Sequence, residues 1–190
     1  FWEEPCISGE EGSGAVFFTG CNLRCVFCQN HAIARAEQGK EITIERLAEI
    51  FLELQEQKAN NINLVTATHY VPQVVEALKA AKKQGLQIPV IYNCGGYESV
   101  ETLKMLEGLV DIYLPDFKYI DSERAKRYSR AENYPQVAKM ALAEMVRQRP
   151  GAVFDERGMM QKGVIVRHLM LPGGIKDSKA VVKYLHETYG

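Results

Sequence analysis

Cys21, Cys25 and Cys28 lie in the stretch Thr19-Gly20-Cys21-Asn22-Leu23-Arg24-Cys25-Val26-Phe27-Cys28. Their C-x3-C-x2-C spacing can hold three irons of a four-iron cluster and leave the fourth without a protein ligand. An open iron can bind and reduce a small molecule, whereas a fully ligated cluster only passes electrons outward. Ferredoxins place a fourth Cys near the other three, and structural zinc uses paired C-x2-C knuckles, of which this chain has one half. Cys6 and Cys94, the remaining cysteines, lie far off in sequence. Either would complete a closed site if folding brought it near.

The other residues suited to chemistry fall in four short stretches: Thr66-Ala67-Thr68-His69, Asn93-Cys94-Gly95-Gly96, Pro115-Asp116-Phe117-Lys118 and Arg167-His168. Asp116 and Lys118 point to the same side of an extended segment, which suits an ion pair or a joint grip on a ligand. Asn93 before a glycine pair suits a turn or a ligand contact, and no P-loop or dinucleotide fingerprint accompanies the pair. His69, if neutral, can accept a hydrogen bond, or it can cap the following helix. Adjacent Arg167 and His168 face opposite sides of a strand, so at most one enters an interior; Arg167 suits an anion or a structural salt bridge. Cys94 reads as a free buried thiol, His31 and His186 as ordinary surface or helix residues, and Met159, Met160 and Met170 as gap fillers.

These stretches need a frame to bring them together. Apolar, β-rich runs at 14–20, 61–66, 88–93, 110–115 and 163–170 alternate with segments of helical period, as in strand–helix units on a parallel sheet. One helix stripe is Ile44, Leu47, Ala48, Phe51 and Leu52; a second is Val71, Val74, Val75 and Leu78; a third is Val137, Ala138, Ala141, Leu142 and Met145. A last helix, over 177–187, presents Ala180, Val181, Tyr184 and Leu185. Thr43, three residues before Arg46, suits an N-cap, Gly85 and Gly108 suit helix C-termini, and Pro72 suits the first turn of a helix starting near His69. The longest loop is expected over 149–158. Five strands do not close a ring that needs eight, so the expected architecture is α/β, an open, partial (β/α) barrel with parallel strands. Its polar stretches follow the C-terminal strand ends, where function sits in such folds.

With 190 residues, 46% of them hydrophobic, the chain can bury one substantial core, and a single domain over 1–190 is expected. Its 23 basic and 24 acidic residues leave a net charge of -1, no electrostatic footprint for nucleic acid or an anionic membrane. No apolar run reaches the roughly 20 residues that span a bilayer, and the start Phe1-Trp2-Glu3-Glu4 lacks a signal peptide's basic and apolar regions. Five cysteines, three of them in one loop, speak for a reducing compartment rather than a disulfide framework, so a cytoplasmic location is expected.

The cysteine loop, with Phe27 just before its last Cys, resembles the signature of the radical S-adenosylmethionine (SAM) superfamily. The wider run Trp2-Glu3-Glu4-Pro5-Cys6-Ile7-Ser8-Gly9, with Val16-Phe17-Phe18-Thr19-Gly20 and Gln29-Asn30-His31, resembles its pyruvate formate-lyase activating enzyme-like branch. The resemblance implies a 4Fe-4S cluster on Cys21, Cys25 and Cys28, SAM chelating the open iron, and a 5'-deoxyadenosyl radical that abstracts hydrogen. It further implies a glycyl radical enzyme as partner substrate and a low-potential reductant such as flavodoxin. Toward SAM it implies contacts from Phe27 to the adenine, from Asn93 to the ribose, and from Asp116 and Lys118, with Arg167 a candidate for the SAM carboxylate or a substrate anion. Many such proteins carry Gly-Gly-Glu where this chain has Thr66-Ala67-Thr68-His69, which makes His69 a candidate for the SAM amine. Family members have six strands, so this chain, which starts at Phe1, reads as stopping before the sixth. Two alternatives are a radical SAM enzyme acting on another peptide or small molecule, and a non-catalytic electron carrier with Cys94 or Cys6 as fourth ligand.

Overall fold

Three of the apolar runs become strands buried at every position: β2 (Ile62–Val65), β3 (Val90–Cys94) and β4 (Ile112–Pro115). Cover on both faces is why they read as continuous apolar runs instead of alternating. In the computed structural model, which describes residues 3–190, they are flanked by β1 (Gly14–Phe17) and β6 (Met160–Val164). Phe1 and Trp2, which begin the chain and the resembling run, lie outside the described residues. The sheet runs β1-β2-β3-β4-β6 in parallel, with the two-residue β5 (Val153–Phe154) added antiparallel at the β6 edge. It is the expected α/β partial barrel of five parallel strands.

The structure corrects several boundaries. The first strand ends at Phe17 rather than at residue 20, because the chain there turns into the cysteine loop. The last parallel strand starts at Met160 and its regular pairing stops at Val164. Beyond it the backbone stays beside β4 through the bridge of Asp116 with Arg167, the Arg167 N–H donating to Pro115 O at 2.9 Å. The 149–158 segment is not wholly loop, since it contains β5, whose two residues are exposed and gave no burial pattern to read.

Helices α3 (Ile44–Glu56), α4 (Val71–Lys83), α5 (Val100–Met105) and α7 (Tyr134–Gln148) cover the outer face, as a right-handed parallel crossover requires. Thr43 caps α3, its Oγ1 accepting from the Arg46 N–H at 3.1 Å. A 3-10 turn, Thr68–Tyr70, precedes α4, so the α-helix proper starts two residues after His69, with Pro72 in its first turn. The sequence reading passed over α5 and α6 (Ser122–Ser129): both are short, and α6 buries only Ala125 and Ser129. Their caps were visible, Ser99 and Asp121 each accepting backbone N–H groups of the first turn. The last helix, α8 (Ile175–Tyr189), buries Val181 of its expected stripe fully and Ala180, Tyr184 and Leu185 partly.

Register assigns the faces. Phe17, Val65, Asn93 and Leu114 stand side by side across β1–β4, and Ala15, Asn63, Ile91 and Ile112 form the layer below. Alternate residues Ile62, Leu64, Val90, Tyr92, Cys94 and Tyr113 pack outward against the helices. The inner layers are closed by a short N-terminal helix, α1 (Pro5–Ser8), whose fully buried Ile7 packs on Ile91, Ile112, Leu114 and Met160. Asn61 Nδ2 donates to Ile7 O at 2.6 Å and Asn60 Nδ2 to Ser8 O at 2.7 Å, fixing this plug to the strand bottom. Among the described residues no helix is long and apolar enough to cross a membrane.

Candidate functional site

Above the plug, at the C-terminal strand ends, lies a cavity of about 480 Å³ lined by Cys21, Cys25, Phe27, Cys28, Asn93, Asp116, Lys118 and Arg167, together with Glu3 and Thr66. The C-terminal ends of five different strands thus converge on one space, in the size range of small-molecule sites.

The cysteine loop is held by its neighbours rather than by its own regular structure. Arg24 N–H donates to Ser129 O at 3.1 Å and Val26 N–H to Tyr128 O at 2.9 Å, so the loop borrows its backbone partners from the end of α6. Cys25 Sγ stands 3.0 Å from Ser129 Oγ, itself 2.9 Å from the Tyr119 hydroxyl. On the other side, Gly20 N–H donates to Ile33 O at 2.9 Å in the one-turn helix α2 (His31–Ala34). Burial pushes the Cys21 thiol up, and the nearby sulfurs of Cys25 and Cys28 push it further, against the Leu23 N–H and Lys118. Among the described residues no three or more His, Cys, Asp or Glu side chains are placed to hold a single metal ion.

Five polar residues form a chain across the opposite wall. Lys118 Nζ donates to Asp116 Oδ2 at 2.6 Å, Arg167 Nε to Asp116 Oδ1 at 3.1 Å, and Arg167 Nη2 to Asn93 Oδ1 at 2.6 Å. Asn93 Nδ2 then donates to both oxygens of Glu3 at 3.2 Å. Burial opposes the Lys118 charge, but Asp116 and Cys25 outweigh it and hold the ammonium above its ordinary range. Lys118 also stands 5.8 Å over the Phe27 ring. Asp116 and Lys118 are therefore paired and cavity-lining at once.

Buried Tyr134 ties two of these loops together. Its hydroxyl oxygen accepts from Lys118 N–H at 2.9 Å and lies 2.9 Å from the carbonyls of both Gly95 and Asp116. Gly96, at φ +76°, permits this approach, because a Cβ there would strike Asp116 O and come within 2.9 Å of the Tyr134 hydroxyl. Thr66, the first residue after β2, has φ +59°, an uncommon conformation for a β-branched residue, and its N–H donates to Asn93 O at 2.8 Å. Below it, nearly fully buried Glu98 accepts from Thr68 Oγ1 at 2.8 Å and from the Tyr92 hydroxyl at 2.9 Å; burial raises its carboxyl despite both bonds.

His69 does not join the cavity. It is exposed on the 3-10 turn, and its ring lies beside Gly20, 3.4 Å from where a Cβ would be. Thr66 lines the cavity in its place, because the left-handed turn at Thr66 sends the following residues away toward α4. Cys94 also borders the cavity, and Cys6 does not. The Cys94 side chain packs on the outer, helix-covered face and is 2% exposed, while Cys6 packs by Ile7 in the plug. His168 also borders the cavity, its ring held by hydrogen bonds with Phe117 O at 2.7 Å and Ser178 Oγ at 2.8 Å. Met159 and Met160 are buried as expected, but Met170 is 60% exposed.

Glu3, Ser129, Tyr134 and Glu98 escaped the sequence reading. None belongs to a motif, and each acquires its partners through contacts that only the fold creates, 90 residues apart for Glu3 with Asn93 and 104 for Cys25 with Ser129.

The radical SAM superfamily model matches residues 15–150. An uncharacterized protein of Methanocaldococcus jannaschii is 31% identical over 167 residues, covering 84% of this chain and 45% of that protein. The pyruvate formate-lyase-activating enzyme of Clostridium pasteurianum is 32% identical over 119 residues, 58% of this chain and 48% of that protein. The solved structure of methylornithine synthase superposes with a TM-score of 0.61 over 90% of this chain and 48% of its own at 15% identity, a likeness of fold. The chain spans about half the length of the curated relatives it matches.

Proposed function

This chain belongs to the radical SAM superfamily, and on that premise we propose that it is an enzyme holding a 4Fe-4S cluster and SAM in the cavity at the strand ends. The observation that carries this reading is that Cys21, Cys25 and Cys28 line one cavity with Asn93, Asp116, Lys118 and Arg167. The donor set fits: three thiols on a loop fixed to α6, and a facing wall of ammonium, guanidinium, carboxylate and amide groups. When bound, the cluster and SAM together supply reductive cleavage to a 5'-deoxyadenosyl radical.

The protein's own residues bind, orient and shield. Lys118, kept charged by Asp116 and Cys25, suits a carboxylate; Asp116 and Asn93 suit hydroxyl or ammonium groups, and Phe27 offers an apolar face beside Lys118. Arg167, braced by Asp116 and Asn93, is rigid enough to orient an anion. Thr66 offers its hydroxyl and carbonyl where other family members have Gly-Gly-Glu. The plug under the cavity excludes water from below.

For the substrate we propose installation of a glycyl radical on a partner enzyme, supported by the likeness to the clostridial activating enzyme. A flavodoxin-type reductant and a reducing, cytoplasmic setting accompany that reading; all five cysteines are free thiols. Another peptide or small molecule as substrate is the second reading, favoured by a cavity of small-molecule size. The test is electron paramagnetic resonance of the anaerobically reconstituted, reduced chain. Addition of SAM should change the cluster signal in wild type and do so only weakly in Lys118→Ala; a signal indifferent to SAM would overturn the assignment of the open iron.

A further inference from the structure

Glu98 is a buried carboxyl, 1% exposed, that is not among the residues lining the cavity. It sits just before the α5 cap Ser99, and its hydrogen-bond partners are neutral hydroxyls rather than a cation. Thr68 Oγ1 donates to its Oε1 at 2.8 Å and the Tyr92 hydroxyl to its Oε2 at 2.9 Å; Tyr92 also interacts with Thr68, which closes the cluster. Burying a carboxyl without a cation is costly and calls for a reason. The reason lies two residues before Thr68, at Thr66, which lines the cavity with φ +59°. A β-branched residue keeps a left-handed conformation only where its surroundings over-determine it. Here two bonds flank it, both from the β3 side: Thr66 N–H donates to Asn93 O at 2.8 Å, and Glu98 holds Thr68. Between them Ala67 is fully buried.

We propose that Glu98 is a positioning residue of the site: through Thr68 it clamps the strained turn that presents Thr66 to the cavity, and so sets where Thr66 meets bound SAM. The inference rests on SAM occupying this cavity and adds how the protein holds one of its walls. Asn93 fixes only the start of the turn. Without the second bond, Thr66 is free to relax toward negative φ, which redirects its carbonyl and side chain. A purely structural role for Glu98 would leave SAM binding to follow overall stability. A clamp separates the two, because what it controls is the geometry of one cavity-lining residue.

The test titrates SAM against the cluster signal of the reconstituted, reduced chain and records Tm for each variant. Thr68→Val and Glu98→Leu should each raise the half-saturating SAM concentration about tenfold or more. The double variant should be no worse than the worse single one, since both remove one link. Thr68→Ser, which keeps the hydroxyl, should return to within about threefold of wild type. Tyr113→Phe supplies the control: it deletes another buried hydroxyl, bonded to Gln148, so it should lower Tm while leaving the SAM titration unchanged. If Glu98→Leu does not fold, the Thr68 pair decides. Wild-type half-saturation in Thr68→Val, or an equal loss in Tyr113→Phe, would overturn the clamp. A wild-type signal indifferent to SAM would instead sink the SAM reading itself, and the positioning role with it.

Discussion

The hydroxyl of Tyr134, on α7, accepts a hydrogen bond from the backbone N–H of Lys118 at 2.9 Å, although 16 residues separate the two. The same oxygen meets the carbonyls of Gly95 and Asp116. One phenol thereby sets the spacing between the loop after β3 and the end of β4. Tyr134→Phe keeps the ring, which packs against Phe117 and Tyr119, and removes only this junction. It should destabilise the fold by about 1–3 kcal/mol in urea unfolding, because buried groups lose their partner, and should weaken SAM binding more than the exposed Lys104→Ala does. Unaltered SAM affinity in Tyr134→Phe would remove the junction from the account.

Ile7 carries the plug. Ile7→Ala leaves a void among Ile91, Ile112, Leu114 and Met160 and should cost about 2–5 kcal/mol, read as a lower urea midpoint. Because the plug also seats Glu3, the variant should lose ligand-dependent stabilisation along with global stability. A loss below about 1 kcal/mol would mean that the segment does not close the barrel as described.

Ionisation of Glu98 works against folding. Burial lifts its carboxyl above the unfolded value despite the bonds from Thr68 and Tyr92. The stability linked to its neutral form is fully present below the unfolded pKa and is lost as pH rises through the raised folded value. Glu98→Gln does not titrate, so the stability difference between variant and wild type should move in the variant's favour as pH rises from about 4 to about 8. Urea unfolding across that range measures it, and a difference independent of pH would contradict the burial argument.

The cysteines divide sharply. After anaerobic reconstitution, Cys25→Ala should lose most of its iron, while Cys94→Ala and Cys6→Ala keep wild-type iron, since those side chains pack on the outer face and in the plug. Iron lost on replacing Cys94 would revive the closed cluster and the electron carrier.

How much of this was legible in the sequence depended on the range of the interactions. The cysteine spacing, the parallel strands and the α3, α4 and α7 stripes are local patterns, and each appears in the fold. Asn93, Asp116, Lys118 and Arg167 could be named because they follow strands, and the topology gathers them at one cavity. What a residue meets across the barrel has no local signature. Pro5–Ser8 is too short to show a period, so the plug and Glu3 were invisible, and α6 buries too little apolar surface to leave a stripe. His69 misled because its proximity in sequence to the end of β2 says nothing about the left-handed turn at Thr66 that removes it from the site.

The central claim is that this cavity cleaves SAM. The chain, reconstituted without oxygen and with its iron counted, is reduced in the presence of SAM, and 5'-deoxyadenosine is quantified beside Cys25→Ala. The account predicts product that depends on reductant and disappears in the variant. A wild-type chain that holds its full cluster, binds SAM and forms no 5'-deoxyadenosine would contradict it.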